Sequence, residues 1–315
     1  MANFNEIITK NETMKALLVV AKKISELDIS VLITGENGVG KRFLAESIHN
    51  FSNRYAKPFI IVNCASIPES VMEMELFGYP KGKKHDHISY LEQANGGTLF
   101  LNNPSFLPHK SQGILLKALE SGKFIKGDGS IVDELNIRLI SSCDMNLMNY
   151  VEEEKLRMDF YYRIKEITLD IPALRDRKDD IPLLANFFVK KFTKDFGKKI
   201  RNISDAAINF LKNYNWDGNV REFVNVMRTS VALCEKTTIW VEDIPLNIET
   251  GKKKEVAEAD VVIESYALCD VEKKHILKTL TRCKWNKSRT ARLLKISRPR
   301  LDRKIEEYQL IKPDK

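Results

Sequence analysis

Val31-Leu32-Ile33-Thr34-Gly35-Glu36-Asn37-Gly38-Val39-Gly40-Lys41-Arg42 places a β-rich apolar run, a glycine-rich turn and a lysine in direct succession. The helical run Phe43–Phe51 comes next. The stretch fits G-x-x-x-x-G-K in the strand-to-helix setting that gives this pattern its meaning. Glycines let backbone N–H groups curl around phosphates, the helix start adds positive potential, and Lys41 can reach terminal phosphates. A loop kept only for packing is the alternative, and it stays open. The motif asks for Ser or Thr at position 42, to touch Mg²⁺, and Arg42 stands there.

Further along, Pro58–Asn63, Thr98–Leu101 and Ile137–Ser142 read as short buried strands, with helical stretches such as Ser111–Ser121 between them. Residues 13–27 carry apolar positions at helical spacing, from Met14 to Leu27. Strands alternating with helices predict an α/β domain with a mostly parallel sheet over residues 1–171. After Pro172 the strands largely stop. Asp180–Phe196, Ser204–Tyr214 and Asn219–Cys234 read as helices, giving a helical subdomain over 172–248. Residues 249–265 are charged and poor in apolar side chains, which reads as a linker. Residues 266–315 then form a small all-α domain.

A P-loop ATPase ends one of its strands in acidic residues that hold Mg²⁺ and orient the attacking water. Here Gly96-Gly97-Thr98-Leu99-Phe100-Leu101 runs into Asn102-Asn103. An amide keeps the shape of a carboxylate but carries no charge, so it is a poor Mg²⁺ ligand and a poor base. Arg42, Asn102 and Asn103 together deprive one ion of three ligands.

Charge is unevenly spread. The chain of 315 residues carries a formal +8, and residues 266–315 hold fifteen Lys/Arg against six Asp/Glu, leaving −1 for the rest. A basic module on a near-neutral body points to a polyanion. Within it, Asn286-Lys287-Ser288 leads into a helix over Arg289–Leu294. Lys295-Ile296-Ser297 makes a turn and Arg298–Tyr308 a second helix, with Ser297 as N-cap and Pro299 in the first turn. Two short helices so joined form a helix-turn-helix. Arg298, Arg300 and Arg303 are candidates for base edges, since Arg binds guanine bidentately. Lys287, Ser288, Arg289, Lys295, Ser297 and Lys304 complete the candidate DNA face, the basic ones being placed for phosphates. A helical tail that docks on protein is the alternative.

No apolar run reaches the length of a membrane span, and residues 1–6 lack the features of a signal peptide. Cys64, Cys143, Cys234, Cys269 and Cys283 are scattered, which argues for reduced thiols in a cytoplasm rather than a disulfide framework or zinc site. His85 and His87 lie two apart with no third ligand nearby, and read as a solvated turn.

Taken together these motifs resemble bacterial enhancer-binding proteins, the sigma-54-dependent transcription activators. The likeness runs from about Phe4 to Leu310. It rests on Val31–Lys41, Phe59–Ala65, Glu75-Leu76-Phe77-Gly78, Gly96–Leu101, Leu156–Arg163, Leu174–Ile181 and Trp216–Glu222, and on the Fis-type pattern of the tail. The resemblance implies an AAA+ P-loop core with a helical lid subdomain and a terminal helix-turn-helix. It implies nucleotide contacts at Gly35, Glu36, Asn37, Gly38, Val39, Gly40, Lys41 and Arg42, with sensor II at Arg221 and subunit-crossing arginine fingers at Arg157 and Arg163. Four departures stand out. Arg42 stands where the family carries Glu after the P-loop lysine, Asn102-Asn103 replaces the acidic Walker B pair, Cys143-Asp144 replaces the sensor I Thr-Asn pair, and Tyr79–His87 lacks the GAFTGA loop that touches the sigma factor.

The sequence therefore predicts no catalytic residue, no metal and little ATP hydrolysis, with ATP or ADP bound weakly or without Mg²⁺. The implied partners are double-stranded DNA, at a palindromic operator, and further copies of the chain in a dimer or AAA+ ring. RNA polymerase or a related regulator is a third, and no membrane is expected. No receiver or ligand-sensing domain is expected before the core. Two other readings stay open: an active ATP-driven sigma-54 activator, and an inhibitory partner that joins mixed rings with an active relative.

Overall fold

The computed structural model describes residues 2–79, 88–126, 129–132, 134–144, 147–246, 276, 279–280, 285–294 and 296–308. Its chain forms two compact units, residues 1–248 and 249–315.

In the first unit the strands are β1 (Val31–Thr34), β2 (Phe59–Asn63), β3 (Thr98–Asn102), β4 (Phe124–Ile125), β5 (Ile131–Val132), β6 (Arg138–Cys143) and β7 (Ile167–Asp170). Five of them make a parallel sheet in the order β2-β3-β6-β1-β7, and β4 pairs antiparallel with β5 in a separate hairpin. The sheet's strands alternate by side-chain face, as the two-residue period demands. Leu32, Leu99, Leu101 and Leu139 enter one core, with Leu76, Leu91, Leu115 and Phe160. Val31, Ile33, Phe100, Ile140 and Leu169 enter the other, against Met14, Leu17, Leu44 and Ile48. Both faces are thus covered, which is why β1, β2 and β3 read as nearly unbroken apolar runs.

The helices are α1 (Glu12–Ser25), α2 (Lys41–Asn50), α3 (Glu69–Phe77), α4 (Tyr90–Ala94), α5 (His109–Ser121), α6 (Leu147–Glu152) and α7 (Met158–Ile164). Asn11 caps α1 by accepting from the Met14 N–H. Ser89 and Glu92 form a capping box at α4. Sequence periodicity carried α1 too far: it ends at Ser25, and Leu27 lies exposed.

Beyond β7 come α8 (Ile181–Asp195), α9 (Asp205–Asn213) and α10 (Asn219–Leu233), together with a two-stranded parallel pair, β8 (Asn202–Ile203) and β9 (Thr238–Ile239). Trp216 is the largest side chain of their core. It stacks edge-on against Phe223 at 4.8 Å and donates its indole N–H to the Leu211 carbonyl at 2.8 Å. The sequence showed these three helices but not the short pair.

In the second unit α11 (Lys287–Leu293) and α12 (Arg298–Glu307) pack through Ala291 and Leu301 against Ile276 and Leu280. The linker assigned to 249–265, most of the Tyr79–His87 stretch, and Cys269 and Cys283 fall outside the described residues. Among the described residues no helix is long and apolar enough to cross a membrane.

Candidate functional site

The parallel register sets the carboxyl ends of the central strands side by side. Thr34 is opposite Cys143, and Asn102 is opposite both Asn63 and Ser142. In open α/β sheets this edge is where ligands bind. Here it receives the phosphate loop on β1, the Asn102-Asn103 pair on β3 and Cys143-Asp144 on β6.

Gly35, Gly38 and Gly40 hold φ values of 139°, 83° and 108°. This region costs a side-chain-bearing residue strain, so the glycines are a backbone requirement. Gly38 has a second reason. A Cβ there would lie 2.2 Å from the Gly218 carbonyl oxygen, because the loop abuts the segment that starts α10. Gly40 has open space around it, with no heavy atom within 4 Å of where a Cβ would sit. Its neighbour Lys41 opens α2, directing that helix's free N–H groups toward the same space. A cleft of about 730 Å³ opens here, with Lys41, Arg42, Asn63, Asn102 and Arg221 in its wall.

Lys41 is nearly buried. Its Nζ donates to the carbonyls of Gly35 and Glu36 and to Asp144 Oδ1, the last at 2.7 Å. Glu36 faces away from the cleft, gripped by the Arg175 guanidinium and by Asn219 Nδ2 at 3.0 Å. The Arg175 hydrogen bonds first, then that of Asn219, hold its carboxyl down at about 2. Asn219 is fully buried. It also donates to the Asn37 carbonyl at 3.0 Å and accepts from the Leu174 N–H at 2.8 Å. The Arg221 N–H donates to the Gly38 carbonyl at 3.2 Å. Among the described residues the Arg221 guanidinium has no hydrogen-bonding partner, and it stays available to the cleft. Val39 is buried in the sheet core.

Of the three residues at the positions that the sequence reading gave to metal ligands, Arg42 and Asn102 have side-chain partners within the protein and Asn103 is held through its main chain. Arg42 is exposed and its Nε pairs with Glu46, one turn on, at 2.7 Å. Asn102 Oδ1 accepts from the Ser142 hydroxyl at 2.8 Å, and its amide nitrogen reaches Asn63 Oδ1 at 3.4 Å. Asn103 sits in the left-handed region at φ 56° and donates its N–H to the Ser142 carbonyl at 2.7 Å. Amides and a guanidinium are a poor donor set for Mg²⁺, which takes carboxylates, phosphates and water. The residues present do not fit that ion. Among the described residues no group of three or more His, Cys, Asp or Glu could hold a metal. Burial pushes the Cys64 thiol up to about 12 and the Cys143 thiol up to about 11, so neither is a nucleophile at neutral pH.

Arg157 and Arg163 lie outside this cleft. Arg157 forks onto Asp159, at 3.0 and 2.7 Å. Arg163 pairs with Glu166 and reaches the Ser30 hydroxyl at 3.3 Å.

In the basic unit, Ser297 has the extended backbone of an N-cap, and the Leu301 N–H bonds to its carbonyl at 3.0 Å. Arg298, Arg300 and Arg303 are exposed along α12. Two of the lysines assigned to phosphates have internal partners. Lys287 reaches across to Asp302 at 2.8 Å, and Lys304 meets Tyr308 at 3.0 Å and Glu307 at 3.3 Å. Ser288 is exposed; Lys295 falls outside the described residues, and so does the Arg289 side chain.

Sequence reasoning missed three functional neighbours: Asp144 on Lys41, Arg175 on Glu36, and Asp180. Asp180 is fully buried and accepts from the Thr9 hydroxyl at 2.8 Å and from the backbone N–H groups of Lys10 and Asn11. Buried Arg177 lies 3.9 Å away and donates to the Val39 carbonyl at 3.4 Å. The only signal for the last two was the charged run Arg175–Asp180.

The sigma-54 interaction domain family matches residues 7–170. An AAA+ ATPase lid domain matches 175–260, and the Fis family of bacterial regulatory proteins matches 267–308. The regulatory protein AtoC of Escherichia coli is 36% identical over 97% of this chain and 68% of its own length. The phenol regulator MopR of Acinetobacter guillouiae is 35% identical over 92% of this chain and 54% of its own. The curated relatives are longer, and the chain spans between about half and two thirds of their lengths. A crystal structure of NtrX from Brucella abortus in complex with ADP superposes with a TM-score of 0.77 at 29% identity, covering 97% of this chain and 69% of that one. With its phosphate-loop sheet, helical lid and terminal helix-turn-helix, the chain belongs to the family of sigma-54-dependent, DNA-binding transcriptional regulators.

Proposed function

We propose that this chain regulates transcription by binding DNA through α12, and that its AAA+ core binds nucleotide without hydrolysing it. The observation that carries the reading is a split within one cleft. The phosphate-holding parts are in place: Gly35, Gly38 and Gly40 at positive φ, Lys41 at the start of α2, and Arg221 opposite. The parts that would hold Mg²⁺ and activate water are replaced by Arg42, Asn102 and Asn103, and the side chains of Arg42 and Asn102 are engaged by their own neighbours. Phosphoryl transfer rests on positioning and charge stabilisation, so removing both the metal and the water-orienting carboxylate costs several orders of magnitude in rate.

Nucleotide is held here by backbone N–H groups and cations alone, so its affinity is weak and independent of Mg²⁺. The arginines at 157 and 163 serve contacts between copies of the chain in an oligomer, and the helix-turn-helix reads a two-fold, palindromic site. The family's sigma-contacting loop has no counterpart in Tyr79–His87, so regulation proceeds without remodelling sigma-54 holoenzyme. Phosphate release by the purified protein tests the central point. The expected result is none above background; release that disappears in a Lys41→Ala variant would overturn it and restore the reading of an active ATP-driven activator.

A further inference from the structure

Each acidic group near the phosphate loop has a place. Glu36 is turned onto Arg175 and Asn219, and Glu46 is paired with Arg42. Asp144 is the exception in where it points. One of its carboxylate oxygens lies 2.7 Å from Lys41 Nζ, and the other accepts from Asn37 Nδ2 at 3.1 Å. Both donors belong to the loop itself. The Lys41 side chain is only 10% exposed, its ammonium enclosed by the Gly35 and Glu36 carbonyls and this carboxylate. A protein anion therefore already sits on the cation that serves a terminal phosphate.

We propose that Asp144 sets how many phosphates the cleft accepts: a nucleoside diphosphate in preference to a triphosphate. The proposal rests on the nucleotide-binding reading above. A diphosphate can use the loop N–H groups and leave the Lys41–Asp144 pair in place. A further phosphate must displace the carboxylate from Lys41 or lie against it. Like charges at that distance repel strongly, and the amides of Asn102 and Asn103 bring no counter-charge. Asp144 thus acts as a built-in competitor for the terminal-phosphate position.

The test is titration of the full chain with fluorescent ADP and ATP analogues, in EDTA and in Mg²⁺, for wild type, Asp144→Asn and Lys41→Ala. Asn keeps the shape and half-exposed position of Asp144, and thermal denaturation checks the folding of each variant. The wild type is expected to prefer the diphosphate by about tenfold or more in EDTA, and Asp144→Asn to remove most of that preference by tightening the triphosphate. Equal affinities in the wild type, or a preference unchanged in Asp144→Asn, would overturn the proposal while leaving nucleotide binding intact. Triphosphate binding that tightens with Mg²⁺ only when Asp144 is present would make Asp144 a metal ligand, and would overturn it too. Saturable binding of neither nucleotide by wild type or Asp144→Asn would remove the nucleotide reading itself, and the proposal with it.

Discussion

The Arg175 guanidinium forks onto both carboxylate oxygens of Glu36, tying the helical subdomain to the middle of the phosphate loop. That pairing, supported by Asn219, holds the Glu36 carboxyl at about 2 against an ordinary value of 4.5. A carboxyl depressed in the folded state is protonated first in the unfolded chain. Its stabilising contribution is therefore complete above about 4.5 and disappears as pH falls toward about 2. Denaturant midpoints measured across that window are expected to fall more steeply for wild type than for Glu36→Gln. The variant is expected to be the less stable of the two at neutral pH.

Two glycines of the same loop should respond differently to alanine. Gly38→Ala meets both the left-handed backbone and the Gly218 carbonyl, and is expected to destabilise by about 2–4 kcal/mol. Gly40→Ala meets only the backbone cost, about 1–2 kcal/mol, because its surroundings are open. Calorimetry should separate the two. Nucleotide titration should show loss of binding in the more stable Gly40→Ala, since its methyl group enters the phosphate space.

Asp180→Ala should be among the most damaging single changes outside the apolar cores. It strips three hydrogen bonds from residues 9–11 and leaves Arg177 buried beside no carboxylate. Breaking a buried pair from one side costs about 3–5 kcal/mol. Limited proteolysis is expected to cut near residues 9–11 in the variant and not in wild type.

On the DNA face the structure separates reading from positioning. Arg300→Ala or Arg303→Ala is expected to weaken binding to a specific site by about 1–3 kcal/mol and to relax base preference. Lys287 is tied to Asp302, so Lys287→Ala should act through the packing of α11 on α12. The expected signature is a lower melting point of the residue 249–315 unit within the full chain, with a nearly unchanged salt slope. Gel shifts at several salt concentrations check both.

Four of the sheet's five strands were legible because they are short and β-rich, and because the glycine-rich turn marks the passage from β1 into α2; β7 was not, since this edge strand alternates apolar Ile167 and Leu169 with polar, exposed Thr168 and Asp170. The helices of the lid were legible from their apolar period. What the sequence hid are meetings across long separations. Asp144 lies more than a hundred residues from Lys41, and Asn219 lies farther still from Glu36. No local pattern marks such pairs; the parallel register and the lid's docking create them. Leu27 misled for a physical reason too: α1 ends before it, so an apolar residue in step with the helix faces solvent. Lys287 and Lys304 were assigned to phosphates because nothing in the sequence marks Asp302 and Glu307 as their partners.

The contact between Gly38 and the Gly218–Arg221 segment is made of main chain. A joint of this kind does not depend on which side chains line the cleft beside it. Side-chain changes at positions such as 42, 102, 103 and 144 leave this main-chain attachment of one subdomain to the other in place. Architecture and reactivity are thereby free to evolve separately, and a family of motors can give rise to members that keep the chassis while changing what its cleft responds to.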